Sequence, residues 1–275
     1  MAGESTFSAQ ITNFVGGATI DEEFCDDAAQ DACKEIINQL PAKLKAKCAA
    51  ATTLNNSTTV MDMDDVGDIL YVTRLSANSG GYQIPCREIP AQFGGLATDS
   101  TDLNYYGTAA DPVYWIDGNT SDAATLYVKP TPEATQTAIV HHIVYPTVDV
   151  SASTVEIANF PDEATYLVVL YAATRQLLKF QAAMSASWNS EITQALNNAK
   201  DVINNNQPST TTDAYGALEN EDIEIMGAAL SLASQQLGEA GSRLQQDSAQ
   251  YQWYGDQYVR LSAEYARGLA ALKGG

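Results

Sequence analysis

The chain has 275 residues and 45% apolar content, which suits one large or two modest globular domains with a buried core. Its formal charge is −20, from 34 acidic against 14 basic residues, which argues against gripping DNA by neutralising its phosphates. The longest apolar run, residues 166–173, is far shorter than the ~20 residues that a transmembrane helix needs.

The composition is typical of surfaces that face other protein. Charged residues make up only 17%, and Thr, Asn, Ser, Gln, Ala and Tyr fill positions that Lys and Glu usually occupy. Residues 1–20 lack a basic start before an apolar stretch, so no secretory signal is expected. The cysteines fit no zinc spacing and are expected to be reduced thiols: Cys25, Cys33, Cys48 and Cys86.

The first predicted element is a helix within residues 21–51. Apolar side chains recur there every four residues, which marks one face of a helix. They are Phe24, Ala28, Ala32, Ile36, Leu40 and Leu44. Pro41 predicts a kink or a break in that helix.

Residues 55–149 predict a β-rich insertion. The alternating runs indicate strands at 69–74, 113–116, 125–129 and 138–145. Turns are expected between them, at 79–81, 117–119 and 129–132.

A second helical region follows the insertion. Residues 159–163 combine a capping Asn, a Pro near the first turn and two acids beside the helix dipole, which together mark a helix start. This helix is predicted to end near Met184, and another to run from about Ser187 to Asn204. The residues from 205 to 218 are expected to form a linker.

The last segment is the most periodic part of the sequence. Apolar side chains follow one three-four spacing, which is typical of a seam that needs a partner helix. They are Met226, Leu230, Ala233, Leu237, Ala240, Leu244, Tyr251, Tyr254, Tyr258, Leu261, Tyr265 and Leu272, interrupted by Asp247 and Gly268. An unbroken helix over 219–272 would be roughly 80 Å long, although Gly238, Gly241 and Gly255 could bend or divide it.

The elements together predict an α+β, mainly helical fold, with a helical core, a β-rich insertion and a long C-terminal helix. The predicted parts are an N-terminal extension 1–20, a helical core 21–54 with 155–204, the insertion 55–154, the linker 205–218 and the C-terminal helical arm 219–275.

No catalytic, cofactor or metal site is predicted. A GxSxG elbow, a Cys with a plausible His partner and a phosphate-binding GK[ST] loop are all missing from the sequence. His141 and His142 are adjacent on a predicted strand, so they point to opposite faces and cannot hold one metal ion. The acidic run 61–65 lacks the Gly and the bidentate Glu of a calcium loop, which favours a solvated loop over a calcium site.

The order of these runs resembles the head-to-tail adaptor proteins of tailed bacteriophages, also called connector or tail tubular A proteins. The resemblance covers roughly residues 20–205. Its motifs are IPCREIPAQF at 84–93, VYWIDGN at 113–119, LYVKPTP at 126–132, the strand 139–145, and IANFPDE at 157–163 with Tyr166, Leu167, Tyr171 and Ala172.

The resemblance implies a virion structural protein that is not an enzyme. In that family the subunits form a ring, usually dodecameric, that joins the portal protein to tail or nozzle proteins. DNA passes through the channel of the ring without sequence-specific binding, and no membrane is involved. The expected location is the head-tail junction of the virion, after synthesis in the host cytoplasm.

The C-terminal stripe is the candidate interface with the portal or with adjacent subunits. Its members are Leu237, Leu244, Tyr251, Tyr254, Tyr258, Leu261 and Tyr265. Tyr suits such a surface because it buries a large ring and keeps a hydroxyl for hydrogen bonding.

Two other functions stay open at this point. The first is a different virion component, internal or in the tail, built on the same helical pattern. The second is a carbohydrate-binding module with an aromatic stacking platform in the insertion, formed by Tyr105, Tyr106, Tyr114 and Trp115.

Overall fold

The computed structural model describes residues 6–64, 66–76, 81–118, 124–153, 155–204 and 213–274. It is 56% helical and 18% strand, with two small sheets and a long C-terminal helix. The predicted α+β, mainly helical fold class is therefore confirmed. The chain divides into two compact units, Met1–Ala28 with Val169–Arg267 and Ala29–Val168 with Gly268–Gly275. The five-part division made from the sequence stays a prediction.

The α-helices of the described residues are α1 (Phe7–Phe14), α2 (Glu22–Gln39), α3 (Ala42–Lys45), α4 (Asp162–Ile203), α5 (Ala214–Glu219) and α6 (Ile223–Lys273). Two 3₁₀ helices accompany them, Ala46–Cys48 and Ala91–Thr98.

Short polar side chains start the N-terminal helices. The hydroxyl of Thr6 accepts the backbone N–H of Ala9 at 3.1 Å, and the carboxylate of Asp21 accepts that of Phe24 at 3.1 Å. Helix α2 ends at Gln39, just before Pro41, which confirms the predicted break.

Helix α2 buries a wider face than the predicted stripe. Ala28, Ala32, Ile36 and Leu40 are buried, whereas Phe24 and Leu44 are half-buried. A second, adjacent row is buried as well, formed by Cys25, Ala29, Cys33 and Ile37.

The four cysteines are free thiols, which confirms the prediction, and Cys25, Cys33 and Cys48 are buried. Burial raises the pKa of Cys33 to about 12. The Cys25 thiol lies 3.6 Å from the side-chain oxygen of Gln176, to which it donates, and burial also raises its pKa to about 12. These thiols are core residues that stay protonated at neutral pH.

The described residues of the β-rich region form two four-stranded sheets. The strands are β1 (Ala49–Leu54), β2 (Val60–Asp62), β3 (Val66–Leu75), β4 (Gln83–Pro85), β5 (Arg87–Glu88), β6 (Val113–Gly118), β7 (Ala124–Lys129) and β8 (Ala138–Val144). The strand orders are β1-β8-β3-β4 and β2-β7-β6-β5, antiparallel except for the β5–β6 pair. All four strands predicted from alternation are present. Residues 79–80 and 119 of the predicted turns lie outside the described residues.

The two sheets share one apolar core. Alternate residues of both sheets meet in it, as expected where each strand has one inward face. Its buried members are Leu54, Met61, Val72, Tyr114, Leu126, Val128, Ala138 and Val140. A second, smaller cluster lies on the other face of β6 and consists of Ile89, Ala97, Val113 and Trp115.

A buried arginine connects β3 to the segment that follows β7. Arg74 is only 2% exposed, and it donates to the side-chain oxygen of Gln136 at 3.1 Å and to the carbonyl of Thr131 at 3.3 Å. Burial lowers the pKa of this guanidinium. Both hydrogen-bond acceptors are neutral, so burying this positive charge is costly. The two hydrogen bonds fix the local backbone.

The predicted break after Met184 is wrong, because α4 is one helix of 42 residues, Asp162–Ile203. Neither Gly nor Pro occurs inside it. The Ser187 hydroxyl donates to the carbonyl of Met184 at 2.9 Å, so this serine is accommodated within the helix.

Helix α6 is also continuous, with 51 residues from Ile223 to Lys273. Its length is therefore about 77 Å at ~1.5 Å per residue, and none of Gly238, Gly241 and Gly255 interrupts it. Within the predicted linker, residues 205–212 lie outside the described residues, and α5 begins at Ala214. None of the described helices is both long and apolar enough to cross a membrane.

Gly268 allows a close approach between α6 and α4. A Cβ at this position would lie 2.4 Å from Cδ2 of the buried Leu167, whereas a Cβ at Gly238 would meet nothing within 4 Å. We expect Gly268→Ala to lower the free energy of unfolding by about 1–3 kcal/mol through overpacking. Gly238→Ala, the matched control, should raise it by up to ~1 kcal/mol. Urea denaturation followed by circular dichroism distinguishes the two, and equal effects would contradict the close approach.

The start of α4 is joined to the 3₁₀ helix Ala46–Cys48 by an exposed ion pair, with Lys47 Nζ 2.8 Å from Glu163 Oε1. The hydrogen bond from Lys47 is the main cause that lowers the pKa of Glu163. The stability that this group contributes is present above the ordinary Glu pKa of about 4.3 and is lost as the pH falls through the lowered value. Glu163→Gln should therefore make the free energy of unfolding less dependent on pH in that acidic range.

Urea denaturation at a series of pH values measures this dependence. Lys47→Met should flatten the acid limb in the same way, and the double variant should add nothing further. A wild-type slope in Glu163→Gln would show that the ion pair does not contribute.

Candidate interaction surface on the C-terminal helix

Helix α6 carries two parallel rows of residues at heptad spacing, defined here as the inner row and the outer row. The inner row is Met226, Ala233, Ala240, Asp247, Tyr254, Leu261 and Gly268. The outer row is Leu230, Leu237, Leu244, Tyr251, Tyr258, Tyr265 and Leu272. Residues seven apart lie almost on one line along a helix, so each row meets a single neighbouring surface.

The C-terminal half of both rows packs against α4 through aromatic rings. Three contacts occur, each between rings whose centroids are 5.1–5.5 Å apart: Tyr251 with Trp188, Tyr254 with Phe180 and Tyr265 with Tyr171. Such pairs add ~0.5–1.5 kcal/mol to the area that they bury.

Polar contacts fix the same region of the helix pair. The Gln181 amide donates to the carbonyl of Tyr251 at 3.2 Å, and the Gln250 amide donates to the Tyr254 hydroxyl at 2.8 Å. On the opposite side, Gly16 has φ +78°, and a Cβ there would lie 2.6 Å from the indole of Trp253. The C-terminal half of the tyrosine-rich stripe therefore contributes to the fold of this chain.

The seven residues of the predicted interface differ in exposure. Tyr254 and Leu261 are buried within the chain, at 4% and 1% exposure, and Tyr251, Tyr258 and Tyr265 are half-buried. Leu237 and Leu244 are 42% and 39% exposed. Since the buried members are already covered, the predicted role in binding another protein now depends mainly on the two leucines.

The two exposed leucines are part of a set of eleven exposed large apolar side chains, here called the distal arm surface. Exposed large apolar side chains occur on α4, α5 and the first part of α6: Ile192, Leu196, Ile203, Tyr215, Leu218, Ile223, Ile225, Leu230, Leu232, Leu237 and Leu244. Three of them, Leu230, Leu237 and Leu244, lie at heptad spacing on α6 and form an exposed apolar stripe of the kind found at protein interfaces.

A cleft of about 720 Å³, the arm cleft, opens between the distal parts of α4 and α6. It arises because the facing residues there are small or polar: Ala195 and Asn198 on α4, and Ala240 and Asp247 in the inner row. Without a large apolar side chain at these positions, the two helices cannot fill the space between them.

Two polar atoms at this cleft lack hydrogen-bond partners among the described residues. They are Nε1 of Trp188 and Oε1 of Gln236, and both atoms are buried. The rim carries Glu191, Asp247 and an exposed ion pair between Arg243 and Glu239 at 2.6 Å.

Trp188 and Gln236 are not predicted from the sequence. The detectable signal is the pair of small inner-row residues Ala233 and Ala240 followed by Asp247, which weakens the seam over about four turns of the helix. In the predicted stripe the two alanines count as members, and of these three residues only Asp247 counts as an interruption.

The histidines and the acidic run 61–65, considered above as metal ligands, have ordinary structural contacts. His142 is buried, with Nε2 3.0 Å from the Thr52 hydroxyl, and His141 stacks on Tyr71 on the other face of β8. Asp62 Oδ1 accepts the backbone N–H of Asp64 at 3.1 Å, as in an ordinary loop, and Asp65 lies outside the described residues. Among the described residues, no group of His, Cys, Asp and Glu could hold a metal ion.

The predicted aromatic platform for carbohydrate is wrong. Tyr114 and Trp115 are buried and point to opposite faces of β6, one into each apolar cluster. Tyr105 packs against Phe93, with ring centroids 4.3 Å apart. Adjacent strand residues alternate between faces, so they cannot form one flat stacking surface.

Comparison with known proteins gives one family. The family model described as SU10 adaptor protein matches residues 6–217, which include every described strand and helices α1 to α4, and which end within α5, before α6. No curated protein matches the chain.

Because some residues of the stripe are buried and others are exposed, substituting them should change the free energy of unfolding by different amounts. Leu261→Ala should lower the free energy of unfolding by about 2–5 kcal/mol, because it leaves a cavity at a fully buried position. Leu237→Ala, on the same helix and of the same chemistry, should change it by no more than about 0.5 kcal/mol. Urea denaturation measures both values, and a large cost at Leu237 would mean that this leucine is also covered within the chain.

Proposed function

Because this chain belongs to the SU10 adaptor protein family, we propose that it is the head-to-tail adaptor of a tailed bacteriophage. As a phage adaptor protein, it is a virion structural protein that contacts other virion components. In the proposed function, copies form a ring, of the dodecameric type, between the portal and the tail or nozzle proteins. The observation that carries this proposal is the family match over 6–217.

Two further features support the ring and its channel. Repeated head-to-tail contacts between identical subunits generate a ring when the rotation closes, and the low charged content suits surfaces that face other subunits. The excess of 34 acidic over 14 basic residues would repel a passing duplex, so that DNA slides through the channel without being gripped.

The distal arm surface supplies the contact with the portal or an adjacent subunit in this proposal. Leu230, Leu237 and Leu244 are each about two-fifths exposed, and the family match ends before the helix that carries them. Covering what remains exposed of these three side chains would contribute on the order of 2–4 kcal/mol. The interface would therefore be specific to the arm of this chain.

The interface role is tested by the double variant Leu237→Ser/Leu244→Ser. It should unfold at the wild-type urea midpoint, because both positions are exposed, but should enter virions about tenfold less efficiently in a complementation assay. The matched control is Leu70→Ser/Leu103→Ser, which alters two exposed leucines of the other unit, at 40% and 98% exposure, and should assemble normally. Normal incorporation of the arm variant would contradict the proposed contact.

The location is tested by cryo-electron microscopy of virions. A ring of this protein at the vertex between head and tail, with the symmetry of the portal, is the expected result. Its presence inside the head or along the tail would favour the alternative of another virion component.

A further inference from the structure

We propose that the arm cleft binds a polypeptide segment of a partner protein that carries lysine or arginine side chains between apolar ones. The inference deepens the proposed function and rests on it for the assignment of the distal arm to partner contact. It adds the chemistry of the partner, which neither the family nor the exposed leucines specify.

The charge around the cleft favours a basic occupant. Glu191, Glu239 and Asp247 line it against a single guanidinium, that of Arg243. The surrounding segment, residues 188–250, contains nine acidic residues and two basic ones. A segment with lysine or arginine would gain complementary pairs at this rim, whereas an acidic one would be repelled.

The unpartnered polar atoms favour a polypeptide. Trp188 Nε1 can only donate a hydrogen bond and Gln236 Oε1 can only accept one. A peptide backbone supplies the matching carbonyl and N–H groups together, whereas a simple cation could satisfy only the amide oxygen. Both atoms are covered in the free chain, so side-chain movement has to expose them before a bound peptide relieves the cost of two unsatisfied polar groups.

The walls of the cleft favour apolar side chains between the basic ones. Ile192 and Leu244 line the cleft and are 40% and 39% exposed. A second copy of this chain is a poor occupant, because the chain has a net charge of −20 and would bring an acidic surface to an acidic cleft. The favoured occupant is thus a different protein.

The test uses the full chain labelled with 5-fluorotryptophan. Its Trp residues are Trp115, Trp188 and Trp253, and Trp188→Phe identifies the ¹⁹F resonance of Trp188. The probe is a synthetic amphipathic peptide of leucine and lysine, about twelve residues long. Its control has the same pattern with glutamate in place of lysine. The leucine-lysine peptide should shift the Trp188 resonance saturably, and the leucine-glutamate peptide should not.

Variants separate the cleft from general attraction to an acidic protein. Glu191→Gln/Asp247→Asn should weaken binding of the lysine peptide about fivefold to tenfold by calorimetry. Glu224→Gln/Asp256→Asn removes the same charge from exposed positions outside the cleft and should leave the affinity unchanged. Trp188→Phe keeps an aromatic ring but removes the donor, and should weaken binding by a smaller factor.

Several outcomes would overturn the proposal. They are a lysine peptide that leaves Trp188 unshifted, equal binding of both peptides, and equal affinities of the cleft and control variants. Self-association of the chain alone that Glu191→Gln/Asp247→Asn abolishes would make a second copy the occupant instead.

Failure here is distinguishable from failure of the adaptor function. If the peptide does not bind the cleft, the protein can still form a ring at the head-tail vertex. If the protein is absent from that vertex, the peptide can still bind the cleft.

Discussion

The seam between α4 and α6 is the constraint on which much of this structure depends. Two heptad rows on one helix need a continuous neighbour, and α4 provides it where Tyr251, Tyr254 and Tyr265 meet its aromatic side chains. Toward the distal end, Ala240 and Asp247 stand where the inner row would need large apolar residues, and the same pair of helices leaves the arm cleft there. The same helix pair thus stabilises the fold where its aromatic side chains pack and leaves an open cleft along the rest of its length.

Several large apolar residues that carry the family resemblance lie inside the protein. Ile89, Trp115, Leu126 and Phe160 belong to the motifs and are all buried. A family recognised through its core identifies how the chain folds and which class of virion protein it is. Partner contacts depend on exposed residues, which the motifs leave open. For this reason the family and the exposed arm contribute independent arguments to the proposed function.

Local patterns predicted four of the eight described strands, β3, β6, β7 and β8, because alternation directly reports a half-buried strand. The other four, β1, β2, β4 and β5, were not predicted. The break proposed after Met184 failed, because serines favour helix ends only weakly and α4 has no Gly or Pro there. The interface was harder to predict. A stripe reveals that a helix needs a neighbour, but not whether that neighbour is the same chain, so buried Tyr254 and exposed Leu237 looked equivalent in the sequence. The arm cleft depends on side-chain packing between distant segments and had almost no local signal.

The unbroken α6 restricts how the arm can change in length. Each residue added to a helix turns everything beyond it by about 100°, so inserting two or three residues between Leu244 and Tyr251 would rotate Leu237 and Leu244 away from their present side. An insertion or deletion of seven residues preserves both rows to within about 20°. Evolution or engineering can therefore lengthen this arm in steps of about 10 Å while keeping its leucines in line with the tyrosines.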